Sequence, residues 1–213
     1  MQAMIAMSGG VDSSVAALLA LEQGYRCIGA TLHLHDKNGA ADADAVARRL
    51  GIPFHAFDAM EQFDRLVKDH FLQCYEQGLT PNPCIRCNRY LKFGHLLDLA
   101  LGMGCDKLVT GHYARICQDP ATGRYLLKKA ADPAKDQSYF LSCMNQHQLS
   151  HSLFPLGELP KAEVRRIAQD NGFLNAKKKD SQDICFVPDG DYMTFLERYS
   201  GKQYPAGDFL DQS

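Results

Sequence analysis

Three cysteines and one short polar loop carry most of the chemistry this sequence could do. The loop reads SGGVDSS, Ser8 to Ser14, and follows the apolar run AMIAM at 3–7. Glycines let backbone N–H groups approach an anion, and a helix starting there adds its positive end. The hydroxyls of Ser8, Ser13 and Ser14 add donors. Asp12 is out of place in an anion site unless a cation sits beside it, so the loop reads as a phosphate cradle with Mg2+ on Asp12. The bland alternative is a tight turn in which Asp12 caps a helix. The pattern GxxxxGK[ST] is absent, so this is not the usual nucleoside-triphosphatase loop. The cysteines are Cys84 and Cys87 in TPNPCIRCN (80–88), stiffened by two prolines, and Cys185 in KKKDSQDICF (177–186). Thiols become nucleophiles where positive charge lowers their pKa, and Arg86, Arg89 and the run Lys177–Lys179 are the nearby sources of charge.

Residues so far apart must be gathered by the fold. Residues 3–7, 26–34, 53–57 and 107–110 read as short apolar strands. Helical spacing follows from Ser13 to Gln23, stopped by Gly24, and then over ADAVARRLG, 61–77 and 88–103. Strands alternating with helices predict a doubly wound parallel α/β sheet with its ligand at the carboxyl ends of the strands. After Thr110 the pattern changes. YARI and RYLLKKA flank the turn-rich CQDPATG and predict a hairpin. PKAEVRRIAQDNG predicts a helix with Pro160 in its first turn and Gly172 past its end. The expected organisation is an α/β nucleotide-binding domain over 1–115 and a smaller, mainly helical part over 116–213, with the boundary between 113 and 135.

The chain has 213 residues, eight cysteines and a net charge of −2, which alone argues against a nucleic-acid partner. The distribution argues the other way. Residues 115–179 carry eleven Lys/Arg against six Asp/Glu, a basic zone that is either a phosphate-backbone footprint or a solvated face. No apolar stretch approaches the ~20 residues a membrane span needs. The N-terminus has no basic segment followed by an apolar one, which predicts no signal peptide. Cysteines scattered through α/β patterns predict reduced thiols and a cytoplasmic protein.

The string SGGxDS at a strand–helix junction resembles the pyrophosphate-binding loop of the ATP pyrophosphatase superfamily. Together with TPNPCIRCN, GHYARI, KDQSYFL, FPLGELPKAEVRRIA and DICF, it makes the chain resemble the tRNA-specific 2-thiouridylases from Met4 to about Gly207. The resemblance implies ATP and Mg2+ as cofactors and tRNA, through its anticodon region, and a sulfur-donor protein as partners. The implied reaction adenylates the C2 oxygen of the wobble uridine and replaces it with sulfur. Ala6, Met7, Ser8, Gly9, Gly10, Val11, Asp12 and Ser13 would bind the nucleotide, with Leu32 and Gly111 near its adenine and ribose. Cys185 matches the persulfide carrier, and Cys87 matches the second cysteine, which leaves a disulfide. Asn82, Pro83 and Cys84 match the segment that meets the target base. His112, Lys135, Asp136 and Gln137 match tRNA contacts.

Three departures shape the expectations. Many members of that family have Asp where this chain has Cys84. Cys84, Cys87 and Cys185 are one thiolate short of a four-cysteine zinc site but would suit an iron–sulfur cluster carrying sulfide on its open iron. The persulfide route and the cluster route therefore stand side by side. The chain also stops at Ser213, where the family continues into a β-rich C-terminal region, so it is either truncated or a short member. Of the other cysteines, Cys27, Cys105 and Cys143 read as core packing and Cys74 and Cys117 as structural. His33 and His35 read as strand-end residues rather than a metal pair. The rival classes are another ATP pyrophosphatase, needing no reactive cysteines, and a nucleotide- or tRNA-binding module without turnover.

Overall fold

Among the described residues, apolar runs bounded by glycine turns become seven strands: β1 (Gln2–Ala6), β2 (Arg26–His33), β3 (Phe54–Asp58), β4 (Lys107–Val109), β5 (Ala114–Gln118), β6 (Tyr125–Lys129) and β7 (Ser152–Leu153). The computed structural model describes residues 1–34, 40–176 and 184–207. Five strands form one parallel sheet in the order β3-β2-β1-β4-β7, as expected of a doubly wound fold. β5 and β6 form the expected separate antiparallel hairpin. The chain winds from β1 to β3 on one side and then places β4 on the other. The topological switch point, where such sheets open a ligand crevice, lies between β1 and β4.

Ala3, Met4 and Ile5 of β1 are fully buried, because a central parallel strand is covered on both faces. On one face α1 (Val11–Glu22), α2 (Ala40–Leu50) and the helix Lys161–Asp170 bury Val15, Ala16, Val46 and Val164. On the other, Phe93, Leu96 and Leu97 pack against Met4 and Leu108. The sheet takes its fifth strand, and the first face its third helix, from beyond residue 116. No helix among the described residues is long and apolar enough to cross a membrane.

The two long helices expected over 61–77 and 88–103 run over 60–76 and 83–102, and each contains a widened stretch bonded i→i+5, Asp64–Lys68 and Cys87–Leu96. Such stretches are rare and need help for the carbonyls they displace. Arg86 Nε donates to the Leu66 carbonyl at 2.8 Å. Gln148 Nε2 donates to the Phe93 carbonyl at 2.7 Å and reaches that of Arg89 at 3.4 Å. Gly94 has room for this geometry where a Cβ would come within 3.2 Å of the Arg89 oxygen.

Candidate nucleotide and thiol site

The carboxyl ends of β1, β2 and β4 open into a cavity of about 510 Å3. Its floor is Ala6, Met7, Ser8, Gly10, Val11, Asp12 and Ser13, and its walls include Leu32, Thr110, Gly111 and His112. All but one of the sequence-predicted nucleotide residues line it. The exception, Gly9, turns the loop at φ +71°, where an added Cβ would sit 2.7 Å from that of Asp42.

Hydrogen bonds fix the loop in advance. Ser8 N donates to Ser13 Oγ at 3.2 Å, and Ser13 Oγ donates to the Gly10 carbonyl at 3.1 Å. Ser14 Oγ donates to the same carbonyl at 2.9 Å. Gly10 is the N-cap of α1, so the helix begins inside the cavity. Gly111 presses on the loop from the β4 side, where a Cβ would lie 2.7 Å from the Asp12 carbonyl carbon and 2.8 Å from Ser13 N.

Several residues at this end are not legible in the sequence. Lys161, the first residue of its helix, sends Nζ to both Asp12 oxygens at 2.7 and 2.8 Å while only 9% exposed. Tyr113 OH donates to Asp12 Oδ1 at 2.9 Å. Asn175 Nδ2 donates to the Gly9 carbonyl at 3.0 Å and to Ser14 Oγ at 2.9 Å. The only signals are indirect: the loop has no lysine of its own, and GHYARI and PKAEVRR stand out as motifs. They read as a hairpin and a helix because nothing local says that Lys161 reaches a residue 149 positions away.

The predicted tRNA contacts divide. Lys135, His112 and Gln137 line the cavity. His112 is buried between Phe93 and Phe154, with Nδ1 2.7 Å from Thr110 Oγ1. Burial, with Lys92 adding to it, drives its pKa well down, so the ring is neutral and serves as a hydrogen-bonding wall rather than a phosphate-binding cation. Gln137 Oε1 accepts from Tyr113 N at 2.9 Å. Asp136 builds a turn, accepting from Ala130 N at 2.8 Å and Ser138 Oγ at 2.7 Å, and is not part of the cavity lining.

The thiol cluster, outside the cavity lining, is assembled by apolar packing. Phe186 and Val187, next to Cys185, are buried against Phe63, Phe71, Leu91 and Cys87 in one cluster. Phe186 meets Phe63 and Phe71 edge-on at 5.6 and 5.3 Å. This carries Cys185 to Cys87 and Cys84, near enough for charge on one thiol to be felt by another. Asn82 caps the short helix Pro83–Arg86 by accepting from Ile85 N at 3.3 Å, Pro83 is buried, and Cys84 and Cys185 are exposed. Burial pushes the Cys87 thiol up to about 11, and partial desolvation of their sulfurs also raises Cys84 and Cys185.

The expected sources of positive charge need correcting. Arg86 is spent on the Leu66 carbonyl, and it and Arg89 lie over the Tyr90 ring at 5.0 and 5.1 Å. The run Lys177–Lys179 lies outside the described residues. None of the three cysteines lines the cavity; the cation that pulls all three thiols down is Lys92, which does line it and so links the thiol cluster to it. Five residues along an α-helix, with 3.6 residues per turn, turn about 140° past the starting face. In the widened stretch Cys87–Leu96 the i→i+5 bonding brings Lys92 back toward the face of Cys87.

Further expectations change. All eight cysteines are free thiols, so the disulfide between Cys87 and Cys185 is not a feature of this structure, as suits thiols raised by burial. Cys27 and Cys105 are buried as expected, but Cys143 is exposed, beyond the short helix Ser138–Leu141 rather than in the core. Among the described residues no three His, Cys, Asp or Glu side chains are grouped to hold a metal ion. His33 ends β2, and His35 lies outside the described residues.

Comparison with known proteins places this arrangement among relatives. A family model described as "tRNA methyl transferase HUP domain" matches residues 1–189. Proteins named tRNA-specific 2-thiouridylase MnmA from Heliobacterium modesticaldum and Geotalea uraniireducens are 49% and 48% identical over 98% of this chain. The chain spans 58% and 60% of their lengths. Among solved structures, a 4-thiouridine synthetase–RNA complex with bound ATP superposes with a TM-score of 0.57 at 17% identity, covering 94% of this chain and 50% of that one. NMN synthetase from Francisella tularensis superposes with a TM-score of 0.54 at 17% identity, covering 96% of this chain and 79% of that one. At that identity the two structures speak for the fold.

Proposed function

Because the chain belongs to the tRNA methyl transferase HUP domain family, we propose that it is the nucleotide-binding and sulfur-transferring part of an ATP-dependent tRNA 2-thiouridylase. The observation that carries this reading is a cavity floored by a prearranged glycine loop and lined by Lys92, whose charge is also felt by three thiols outside the lining. A pure binding module has no use for those thiols.

The chemistry follows from the placement. The uridine C2 oxygen attacks the α-phosphorus of ATP, pyrophosphate leaves, and the oxygen becomes part of an AMP leaving group. The terminal sulfur of a persulfide on Cys185, supplied by a sulfur-donor protein, attacks C2 and AMP departs. The Cys87 thiolate then attacks the Cys185 sulfur, releasing C2=S and forming a Cys87–Cys185 disulfide that an external thiol reduces. The resting thiols are protonated, so the Cys87 proton must leave first, and Lys92 is the charge that favours its loss.

Asp12 fits a Mg2+ ion, which is commonly held by one or two carboxylates together with substrate phosphates. The ion would neutralise phosphate charge, and Asp12 is held toward the loop by Tyr113 and Lys161. The three thiols do not fit an iron–sulfur cluster, since among the described residues no three such side chains are grouped as metal ligands. Working thiols suit a reducing, cytoplasmic setting. The exposed Arg124, Lys128 and Lys129 of the hairpin offer charge to an RNA backbone.

The test is nucleoside mass spectrometry of tRNA incubated with the chain, ATP and a persulfide source. ATP-dependent 2-thiouridine, lost in Cys87→Ser and Cys185→Ser, is expected. Pyrophosphate release that survives both substitutions would instead identify another ATP pyrophosphatase.

A further inference from the structure

Lys161 has no role in the chemistry above beyond holding Asp12, yet its placement is unusual. An ammonium this buried is costly unless paired, and ion pairs that serve only the fold have no reason to lie in a cavity wall. This one does, beside the loop amides and at the first turn of a ten-residue helix that itself favours anions. Phosphate sites of the GxxxxGK[ST] type bring a lysine inside the loop, and SGGVDSS brings none. The other two lysines of the cavity stand elsewhere, Lys92 by the thiols and Lys135 two residues from Gln137, which bonds Tyr113. The segment that carries Lys161 also grips the loop from its far end, where Asn175, 8% exposed, bonds Gly9 and Ser14 and keeps a buried Oδ1 without a partner.

We propose that Lys161 is the phosphate-binding lysine of this loop, paired with Asp12 until the β- and γ-phosphates of ATP arrive. The pair keeps Asp12 neutralised, so that an arriving polyphosphate does not face a bare carboxylate, and it holds Nζ at the mouth of the loop. The inference rests on the reading of the loop as an ATP site and adds to it the residue that discriminates polyphosphate from nucleoside. It makes the nucleotide site composite: the loop comes from the first strand–helix unit and its lysine from the far side of the hairpin.

The test is calorimetric titration of the 213-residue chain with ATP, pyrophosphate and adenosine, with divalent cations chelated so that Asp12 acts only through Lys161. Lys161→Met should weaken ATP and pyrophosphate by roughly 10- to 100-fold, the worth of a charge-assisted hydrogen bond, and leave adenosine unchanged. Lys161→Arg should recover part of the loss. Lys161→Met leaves the half-buried Asp12 without its counter-charge, so the double variant with Asp12→Asn guards against a folding effect. The double variant, freed of the bare carboxylate, should bind pyrophosphate more tightly than Lys161→Met but still clearly more weakly than the parent. Recovery of parental affinity by the double variant, or equal losses for ATP and adenosine, would overturn the proposal. Failure of the unsubstituted chain to bind ATP or pyrophosphate would instead overturn the ATP site itself, and this inference with it.

Discussion

The two ends of the site, the nucleotide cavity and the thiol cluster linked to it by Lys92, are built by opposite means. At the loop end, polar groups meet polar groups: Ser8, Ser13, Asp12, Tyr113, Lys161 and Asn175 form a network with most hydrogen bonds at 2.7–3.2 Å. At the thiol end, Phe63, Phe71, Phe186 and Leu91 bring the cysteines together without a hydrogen bond between them among the described contacts. The first arrangement is rigid and ready for a charge that arrives. The second keeps its thiols neutral, and apolar packing holds the sulfurs without pinning them by hydrogen bonds to one another. Catalysis gains from preorganised dipoles where charge is bound. It gains from adjustable neighbours where covalent bonds change.

If that division is real, damage to one end should leave the other working. The largest expected effect is at the thiols. Cys87→Ser or Cys185→Ser should abolish 2-thiouridine formation, with turnover below detection by nucleoside mass spectrometry, while ATP binding measured by calorimetry stays unchanged within error. Next is Gly111→Ala. Its Cβ would press on the Asp12 carbonyl carbon at 2.7 Å, and overpacking of this kind costs about 1–3 kcal/mol. ATP affinity should fall roughly 10- to 100-fold, with the rate of Cys185 alkylation unchanged. A variant that loses both ends together would show that the cavity is one cooperative unit and would break the comparison.

The thiol end also predicts a pH dependence. Cys87 is raised to about 11 by burial, against about 8.5 for a thiol in an unfolded chain. The folded state therefore keeps a proton that the unfolded state gives up. Its contribution to stability is complete below about pH 8.5 and is lost as pH climbs toward 11, on the order of 3 kcal/mol in all. Urea midpoints measured across that window should fall more steeply for the parent than for Cys87→Ala. Cys27, also raised to about 11 by burial, leaves a residual slope in the variant. Lys92→Met removes the cation that opposes the shift, so Cys87 should alkylate more slowly at any pH in the window. An unchanged rate would remove Lys92 from the thiol end.

How much of this is legible in the sequence also differs between the ends. The sheet, the hairpin and the loop are legible because their signals are local: apolar runs, glycine turns, and SGGVDSS at a strand–helix junction. The thiol triad is visible as three cysteines in company, but its electrostatics are not. Arg86 and Arg89 are the nearest charges in sequence, yet they are turned onto Tyr90 and a backbone carbonyl, while Lys92 is brought round by a widened helix that no residue pattern announces. Lys161, Tyr113 and Asn175 are hidden for a different reason. Their partners lie 101 to 166 residues away: the packing of the helix Lys161–Asp170 on α1 introduces Lys161 and Asn175, and the link from β4 to β5 introduces Tyr113.

That same helix supplies the smallest expected effect and the finest cut. It carries two kinds of ion pair. Lys161 meets Asp12 in the cavity wall, shielded from solvent, whereas Arg166 meets Glu163 at 2.6 Å and Asp170 at 3.0 Å with its side chain 63% exposed. Distance alone would rank the Arg166 pairs as equal to the Lys161 pair. Solvent screening and the entropy of holding long exposed side chains say otherwise. Arg166→Ala should leave the melting temperature, ATP affinity and alkylation rates unchanged within error, at low and high salt alike. A loss of ATP affinity in Arg166→Ala would mean that the helix transmits surface charge to the loop, and that the network around Asp12 is less insulated than its burial implies.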